Sequence, residues 1–286
     1  MSSKFYSPLR YPGGKSCIFP FVSQFFYEND LVGIEYAEPY AGGAGLALRL
    51  LFEGYVSNIH INDYDPAIYS LWKTILFKAD DFCNWIENVD IDIKNWLYYK
   101  ERQSDYSQDS FELAKAIFFL NRTNVSGVIK GGVIGGINQQ GKYKIHVRFN
   151  KKELINRIKK IASQKDRIQL SNDDGICFLK RMNRKRSDIF IYLDPPYYQK
   201  GADLYMNFYI DKDHQELSAY VHKLKKKWMI SYDKNDFILN LYSKDPKIVY
   251  QLSQCASNRI GDEVVIFSDN LEFSNSMQNL KSPILL

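Results

Sequence analysis

The strongest constraint on the fold is a strand, glycine loop, helix and second strand within residues 32 to 63. Residues 32–38, VGIEYAE, have the composition of a strand, PYAGGAG follows, and LALRLLFEG has the apolar spacing of a helix that ends at Gly54. VSNIHIND at residues 56–63 has the composition of another strand. Such a unit predicts two parallel strands with a right-handed crossover. We therefore expect an α/β sheet that binds ligands at the carboxyl ends of its strands.

The alternation of strands and helices resumes in the second half of the chain. Strand patterns occur at residues 166–172, 188–194, 227–233, 246–252 and 262–269. Helical patterns occur at residues 151–163, 174–182, 214–226 and 235–243. Only a short loop separates the last two strands, which predicts an antiparallel pair at the end of the sheet.

The middle of the chain has a different pattern. From about residue 66 to residue 121 the apolar residues recur at three- and four-residue spacing, which predicts helices. Residues 122–149 are rich in Gly, Asn and basic residues, and KYKIHVRF alternates as a half-exposed strand does. We interpret residues 122–149 as a loop and β-hairpin that project from the fold.

Composition and charge exclude few classes of function. The chain has 286 residues and a net charge of +5, which is compatible with a polyanionic partner without requiring one. Basic residues cluster at 151–160, 180–186 and 222–228, and such runs are most often solvated helix faces. The four cysteines lie far apart and without histidines at metal-ligand spacing, which argues against zinc and disulfides. We see no leader or membrane span, so we expect a cytoplasmic protein.

The glycine loop indicates a nucleotide-like ligand. Gly42, Gly43 and Gly45 open a helix after a strand, and Asp63 ends the next strand 18 residues after Gly45, close to the spacing at which an acid reaches a ribose hydroxyl. Glu38 enters the loop, and an acid so close to the ligand suits a cation better than a pyrophosphate. S-adenosylmethionine carries a sulfonium and an ammonium group but no phosphate, so it fits this loop.

A second motif, DPPY, ends the strand at residues 188–194. Methylation of a ring amine requires acceptors for the amine hydrogens, because the nitrogen lone pair is otherwise delocalised into the ring. The Asp194 carboxylate and the Pro195 carbonyl are suitable acceptors, and Pro196 helps to hold the backbone stiff. The ring of Tyr197 can stack on the base. The motif therefore predicts transfer of a methyl group to an amine without a metal.

With LRYPGGK at residues 9–15, these motifs resemble the Dam-type DNA adenine methyltransferases, the D12 class or alpha group. AEPYAGGAG is similar to the family's cofactor loop and YLDPPY to its catalytic motif, although Tyr11 stands where the family usually has Trp. The resemblance implies a Rossmann-like α/β catalytic domain, residues 1–72 and 164–286, with a terminal antiparallel strand pair. It also implies an inserted helical and β-hairpin target-recognition domain, residues 73–163.

The resemblance further implies which residues form the sites. Asp194, Pro195, Pro196 and Tyr197 would take the target adenine. SNDDG leaves open whether Asp173 or Asp174 contacts the cofactor, and we favour Asp174. The implied S-adenosylmethionine pocket comprises Tyr11, Lys15, Glu38, Pro39, Tyr40, Ala41, Gly42, Gly43, Gly45, Asp63, Asp173, Asp174 and Asp194.

Double-stranded DNA is the implied partner, and a cognate restriction endonuclease is a further candidate. A buried base cannot reach the pocket, so the target adenine would have to be flipped out of the duplex. Lys and Arg side chains would contact phosphates while Asn or Arg reads base edges. The residues implied to face DNA are Arg122, Asn124, Lys130, Lys142, Lys144, Arg148 and Tyr198.

Two alternatives stay open. Methylation of the cytosine N4 amine needs similar chemistry, although related cytosine enzymes more often have Ser at the position of Asp194. A catalytically silent DNA-binding relative is the other, and the intact Asp194 and Tyr197 argue against it. RNA or a glutamine side chain is a weaker substrate candidate. A nicotinamide dehydrogenase would fit the glycine loop but would leave DPPY unexplained.

Overall fold

The protein is built around one twisted sheet. The computed structural model describes residues 5–10, 15–107, 109–198, 209–254 and 259–286, without the side chains of residues 253, 254, 259 and 260. The strands are β1 (Glu35–Glu38), β2 (Ile59–Asn62), β3 (Ile168–Ser171), β4 (Ile189–Leu193), β5 (Trp228–Asp233), β6 (Lys247–Gln254), β7 (Arg259–Phe267) and β8 (Ile284–Leu285). The described strands form an eight-stranded sheet in the order β3-β2-β1-β4-β5-β7-β6-β8.

The first five strands are parallel, as predicted. β1 pairs with β2 on one side and with β4 on the other, and both pairs are parallel. The chain therefore adds β2 and β3 in one direction from β1, and β4 and β5 in the other. The strand order thus reverses between β1 and β4, and ligands of open α/β sheets bind at the carboxyl ends of the strands at such a point.

The predicted antiparallel pair at the end of the sheet is confirmed. β6 and β7 pair antiparallel with Tyr250 opposite Glu263, and β7 also pairs antiparallel with β5. The short β8 pairs with β6 and was not predicted. The sheet is thus mixed, and β7 brings side chains next to the parallel half.

Helices cover both faces of the sheet. They are α1 (Phe19–Glu28), α2 (Gly45–Phe52), α3 (Pro66–Phe77), α4 (Ala79–Asn88), α5 (Ile93–Arg102), α6 (Ser110–Thr123), α7 (Lys151–Ala162), α8 (Gly175–Asn183), α9 (Asp211–Val221) and α10 (Asp236–Leu241). Apart from α1, these helices lie where helical patterns were predicted. Of the helices in the described part of the chain, none is both long and apolar enough for a membrane span.

The core has two layers because strand residues alternate between the faces. Tyr36, Tyr192 and Tyr250 face the layer that contains α1 to α7, whereas Ala37 and Ile191 face the layer that contains α8, α9 and α10. The buried side chains of α3 to α7 form one continuous cluster with the first face of the sheet. The division into a catalytic and an inserted domain stays a prediction, and α3 runs across its first boundary.

The predicted β-hairpin in residues 122–149 is wrong. This segment, all of it described, has 3₁₀ turns at Val125–Gly127 and Ile145–Arg148 and a single isolated bridge between Asn124 and Val133. Ile145 and Phe149 are buried while Val147 is 40% exposed, so the alternation of apolar residues does not mark one face of a strand. The Ile145 N–H donates to the Gln139 side chain instead of to a partner strand.

Candidate active site

Three strand ends meet at the carboxyl edge of the sheet. β1 ends at Glu38, Asp194 directly follows β4, and Ser231 lies near the end of β5. Because β1, β4 and β5 are neighbours, the predicted Glu38 and Asp194 lie on adjacent strand ends. This arrangement of the two acids was predicted from the sequence, while Ser231 was not among the predicted site residues.

The glycine loop after β1 is tightly built. Gly42 has φ +46° and Ala44 has φ +44°, both in the left-handed region. The Gly42 N–H donates to Asp63 Oδ2 over 2.8 Å, and the Trp72 indole donates to the Gly42 carbonyl over 2.8 Å. An ideal Cβ on Gly45 would lie 2.3 Å from Ser16 Oγ, so the turn Lys15–Ile18 packs closely on the loop. Pro39, Tyr40, Ala41 and Gly43 complete the segment between β1 and α2.

Two carboxyl groups beside this loop have raised pKa values. Burial raises the pKa of Glu38 to about 8, the Tyr36 hydroxyl that donates to it over 2.8 Å opposes that rise, and the nearby Asp194 adds to it. Burial and the neighbouring Asp65 raise the pKa of Asp63 to about 7. Both groups therefore hold a proton over part of the neutral pH range, and a cation or a hydroxyl donor would favour their ionised forms.

Asp194 is fixed through one of its oxygens. Lys15 Nζ lies 3.0 Å from Asp194 Oδ1, and Ser231 Oγ donates to the same oxygen over 2.8 Å. Tyr192 OH in turn lies 2.7 Å from Ser231 Oγ. The Asp194 side chain keeps 25% of its surface exposed, whereas the Lys15 side chain is 2% exposed. The carboxylate is thus oriented from inside the protein but reachable from outside.

Lys15 and Glu263 hold Tyr197 in the same cluster. Lys15 Nζ donates to the Tyr197 hydroxyl over 2.9 Å, and that hydroxyl donates to Glu263 Oε1 over 2.7 Å. The Tyr250 hydroxyl donates to Glu263 Oε2 over 2.8 Å. Although burial opposes its charge, the Asp194 and Glu263 carboxylates raise the pKa of Lys15 well above its usual value. Lys15 is therefore the shared cation of two carboxylates.

Glu263 is a positioning residue that was not predicted from the sequence. Its side chain, on β7, is 1% exposed and lies on the same face of the sheet as the buried Val265 and Phe267. In the sequence, the one sign of its role is a charged residue at a strand position where the pattern of alternation predicts a buried side chain. Its partners Lys15 and Tyr197 come from distant parts of the chain, so local pattern could not identify them.

The two candidate acids after β3 have different contacts. Asp174 caps α8 and accepts from the N–H groups of Ile176 and Cys177. Asp173 Oδ2 accepts from Arg181 over 2.6 Å. These contacts leave the choice between Asp173 and Asp174 as a prediction. Tyr11, also predicted for this pocket, lies outside the described residues.

Among the residues predicted to face DNA, Asn124 is an exception. Asn124 is fully buried, its amide oxygen accepts from the Trp96 indole over 2.7 Å, and its amide nitrogen donates to the carbonyls of Val128 and Ile129. In contrast to the prediction, this amide orders the 125–133 turn from inside. The fully buried position of Asn124 depends on Trp96, a partner that the local sequence does not reveal.

The other predicted residues lie at or near the surface. Arg122 is half-buried and donates to the Arg148 carbonyl. Tyr198 is half-buried, stacks on Phe237 at 5.0 Å between ring centroids, and donates its N–H to Asp233. A cavity of about 330 Å³ is lined in part by Arg10, Lys142 and Arg148. The predicted residues that are exposed are Lys130, Lys142, Lys144 and Arg148.

In the part of the chain that the structure describes, no group of three or more His, Cys, Asp or Glu side chains could hold a metal ion. The cluster at the sheet edge is instead a set of hydrogen-bonded carboxyl, ammonium and hydroxyl groups. Such a set can orient an amine and accept its hydrogens.

Comparison with known proteins identifies the family. Residues 11–255 match the family described as D12 class N6 adenine-specific DNA methyltransferase. The Type II methyltransferase M.CviBI of Paramecium bursaria Chlorella virus NC1A is 26% identical over 246 residues, which cover 80% of this chain and 85% of that protein. The DNA adenine methylase of Haemophilus influenzae is 26% identical over 196 residues, which cover 66% of this chain and 63% of that protein.

Among solved structures, TrmN from Thermus thermophilus aligns with a TM-score of 0.40 and 11% identity, over 87% of this chain and 48% of that chain. The family match covers most of the chain, including the glycine loop and the DPPY motif. The chain therefore belongs to the D12 class of N6 adenine-specific DNA methyltransferases and catalyses S-adenosylmethionine-dependent methylation of adenine N6 in DNA.

Proposed function

We propose that the enzyme holds S-adenosylmethionine in the loop between β1 and α2 and presents a flipped-out adenine of duplex DNA to Asp194. The observation that carries this proposal is the position of Glu38 and Asp194 on adjacent strand ends, with Asp194 fixed by Lys15 and Ser231. An amine that reaches Asp194 would therefore lie next to the loop that holds the cofactor.

The residues of the loop fit this cofactor. The close approach of Ser16 to Gly45 shapes a loop in which a side chain at residue 45 would be crowded. Glu38 and Asp63 offer two carboxyl groups to the cofactor. Once ionised, these carboxylates would bind a sulfonium or ammonium cation and a ribose hydroxyl. When bound, S-adenosylmethionine supplies an electrophilic methyl group on sulfur.

The residues of DPPY act on the amine. The Asp194 carboxylate and the Pro195 carbonyl would accept the two N6 hydrogens, which frees the nitrogen lone pair and stabilises the positive charge that develops on nitrogen. Hydrogen bonds from Lys15 and to Glu263 fix the plane of the Tyr197 ring. Tyr197 is 5% exposed, so stacking on a base requires that binding of DNA uncovers one face of the ring.

The 122–149 segment would bind the duplex. Its exposed Lys130, Lys142, Lys144 and Arg148 can contact phosphates, and the cavity next to Arg10 lies in the same region. The target base must leave the stack to reach Asp194, since a paired base has its amine inside the duplex.

Nucleoside analysis tests this function. Purified enzyme, S-adenosylmethionine with a labelled methyl group and long duplex DNA of mixed sequence should give labelled N6-methyladenine. Label in N4-methylcytosine would favour the alternative substrate. Cofactor binding without any labelled base in duplex DNA would contradict the proposal.

The affinity for S-adenosylmethionine should rise with pH. Glu38, with a pKa of about 8, must release its proton to pair with the cofactor, so the dissociation constant should fall by up to about tenfold per pH unit between about pH 7 and pH 8 and level off above pH 8. Below about pH 7 the fall should be steeper, because Asp63 must then release a proton as well. A raised carboxyl pKa also means that the unliganded protein loses stability as pH rises from about 4.5 to 8. Titration calorimetry across this range measures both the affinity and the proton release.

Glu38→Gln is the control for this pH dependence. The variant should bind the cofactor more weakly, and its remaining pH dependence should centre near 7, the pKa of Asp63. An affinity of the native enzyme that does not change between about pH 6 and pH 9 would contradict the assignment of Glu38.

Gly175→Ala should disturb the loop through Tyr40. An ideal Cβ on Gly175 would lie 2.6 Å from the Tyr40 hydroxyl, which pairs with the Tyr209 hydroxyl at 3.0 Å, so the ring must move. We expect the free energy of unfolding to fall by about 1–3 kcal/mol and the cofactor to bind more weakly. Urea unfolding and calorimetry measure the two effects.

Gly132→Ala is the matched control, since a Cβ there meets no atom within 4 Å. Adding Tyr40→Phe to Gly175→Ala removes the nearest atom and should restore part of the stability. Equal stability of Gly175→Ala and the native enzyme would show that Tyr40 is not confined as the structure describes.

A further inference from the structure

Two basic segments lie at the amino edge of the sheet, opposite the active site. Residues 180–188, the end of α8 and the loop after it, lead into β4, and residues 222–227 lead into β5. Asp194 and Asp233, in contrast, lie at the carboxyl ends of the same two strands. We call these two segments together the basic edge.

The two segments of the basic edge form one surface. The Lys225 N–H donates to Asn183 Oδ1 over 2.8 Å, and Lys226 Nζ donates to the Ser187 carbonyl over 2.9 Å. The two segments are thus joined by two hydrogen bonds, one from a backbone N–H and one to a backbone carbonyl. Basic side chains that are separated by about forty residues in the chain are thereby presented side by side.

The basic edge carries more positive charge than the whole protein. Its two segments contain nine Lys and Arg residues and one acid, Asp188, for a net charge of +8. The whole chain has a net charge of +5, so the remaining residues sum to −3. The two segments therefore have a much higher density of positive charge than the chain as a whole.

Much of this charge is exposed and not neutralised. Lys185 pairs with Glu35 at 2.8 Å and Arg181 pairs with Asp173. Within the described residues, the other exposed cations of the two segments form no ion pair. They are Lys180, Arg184, Arg186, Lys223, Lys225 and Lys227.

We propose that the basic edge binds a second segment of duplex DNA while the first duplex occupies the active site. A row of uncompensated cations suits the phosphate backbone, which carries one charge per about 1.7 Å of duplex. β4 spans about 17 Å between the two edges of the sheet. A duplex stays straight over about 150 base pairs, so the duplex at the active site cannot also curve round to the basic edge.

The second duplex would come from the same long DNA or from another molecule. A duplex held at the active site keeps neighbouring stretches of DNA at high local concentration, which favours a second, weaker contact. The basic edge would then let the enzyme pass between stretches of DNA without full release. This inference rests on DNA as the substrate and adds a contact that the catalytic reaction does not need.

A capture experiment with two variants of equal charge tests the proposal. The edge variant carries Lys223→Gln, Lys225→Gln and Lys227→Gln, and the control variant carries the same change at the exposed Lys165, Lys212 and Lys281, which lie outside the predicted recognition domain. Each variant has a net charge of +2, three below that of the native chain. The assay measures how much labelled duplex the enzyme retains on beads that carry unrelated duplex DNA.

Native enzyme and control variant should bridge the two duplexes, and the edge variant should not. The log–log salt dependence of capture should fall by about 0.9 for each phosphate that the edge variant no longer neutralises. Methylation of a short duplex with one target site should be equal in all three proteins, which shows that they are folded.

Equal capture by the edge and control variants would overturn the proposal, and so would a loss of short-duplex methylation confined to the edge variant. Capture that persists while the edge variant loses binding to anionic vesicles would assign this surface to a membrane instead. Failure of all three proteins to methylate the short duplex would count against the proposed catalytic function, while capture would still report on the basic edge.

Discussion

Asp194→Asn is expected to lower kcat by about 10²–10³-fold, because removal of one preorganised acceptor at the reacting centre costs that much. Asn keeps the size of Asp and one acceptor oxygen but has no negative charge to stabilise the developing positive charge on N6. The loss should fall on kcat more than on KM for DNA, since the contact strengthens as charge develops. Single-turnover methylation of a duplex measures the chemical step directly.

Asp188→Asn is the matched control, since it makes the same chemical change at an exposed position at the opposite edge of the sheet. It should leave kcat unchanged. Ser231→Ala removes only one hydrogen bond to Asp194 Oδ1 and should have a smaller effect than Asp194→Asn. A kcat for Asp194→Asn within a factor of two or so of the native value would contradict the role of this carboxylate.

Lys15→Met is expected to lower the free energy of unfolding by about 3–5 kcal/mol, which is the usual cost of leaving a buried charge without its partner. Asp194 and Glu263 would lose the cation that lies 3.0 Å and 3.7 Å from their oxygens. Burial already raises the pKa of Asp194, while Lys15 opposes that rise. Without Lys15 this carboxyl should take up a proton, so the loss of stability should be smaller in acid than at neutral pH.

The double variant Lys15→Met, Glu263→Gln separates charge from packing. Removing the second carboxylate together with the cation should recover part of the lost stability, because Gln can still accept from Tyr197 or Tyr250. Urea unfolding of the two single variants and the double variant gives the coupling energy. Strictly additive effects would show that Lys15 and Glu263 do not interact.

Glu263→Gln alone separates positioning from general destabilisation. Tyr197 would keep one acceptor but lose a charged one, so we expect a lower kcat with little change in cofactor affinity. Tyr250→Phe removes the other hydrogen bond to Glu263 and leaves the acceptor oxygen of Tyr197 in place, which makes it the comparison variant.

The sequence pattern was sufficient to predict the parallel half of the sheet. Strands such as β4 are continuous apolar runs with sharp ends, and the strand, glycine loop and helix at residues 32–54 specify their own order. Because the carboxyl ends of parallel strands meet at one edge, the sequence alone predicts that Glu38 and Asp194 lie close together. The motifs that resemble the family lie at that edge.

The sequence pattern did not predict the structure correctly where the position of a residue depends on a partner that is distant in the chain. KYKIHVRF alternates like a strand, but the Gln139 side chain satisfies the Ile145 N–H and a partner strand is not formed. Asn124 lies in a segment with the composition of a surface loop, yet its side chain is buried and its amide oxygen accepts a hydrogen bond from the Trp96 indole. Glu263 is stabilised in the core by Lys15, and neither residue indicates the other in the sequence.

A crystal structure of the enzyme with S-adenosylhomocysteine and a duplex that carries the mapped target site tests the central claim most directly. We predict the cofactor product against the loop of residues 38–45, and the flipped adenine with its N6 about 2.6–3.2 Å from a carboxylate oxygen of Asp194. An adenine amine bound to other side chains, or a cofactor product held away from that loop, would contradict the account.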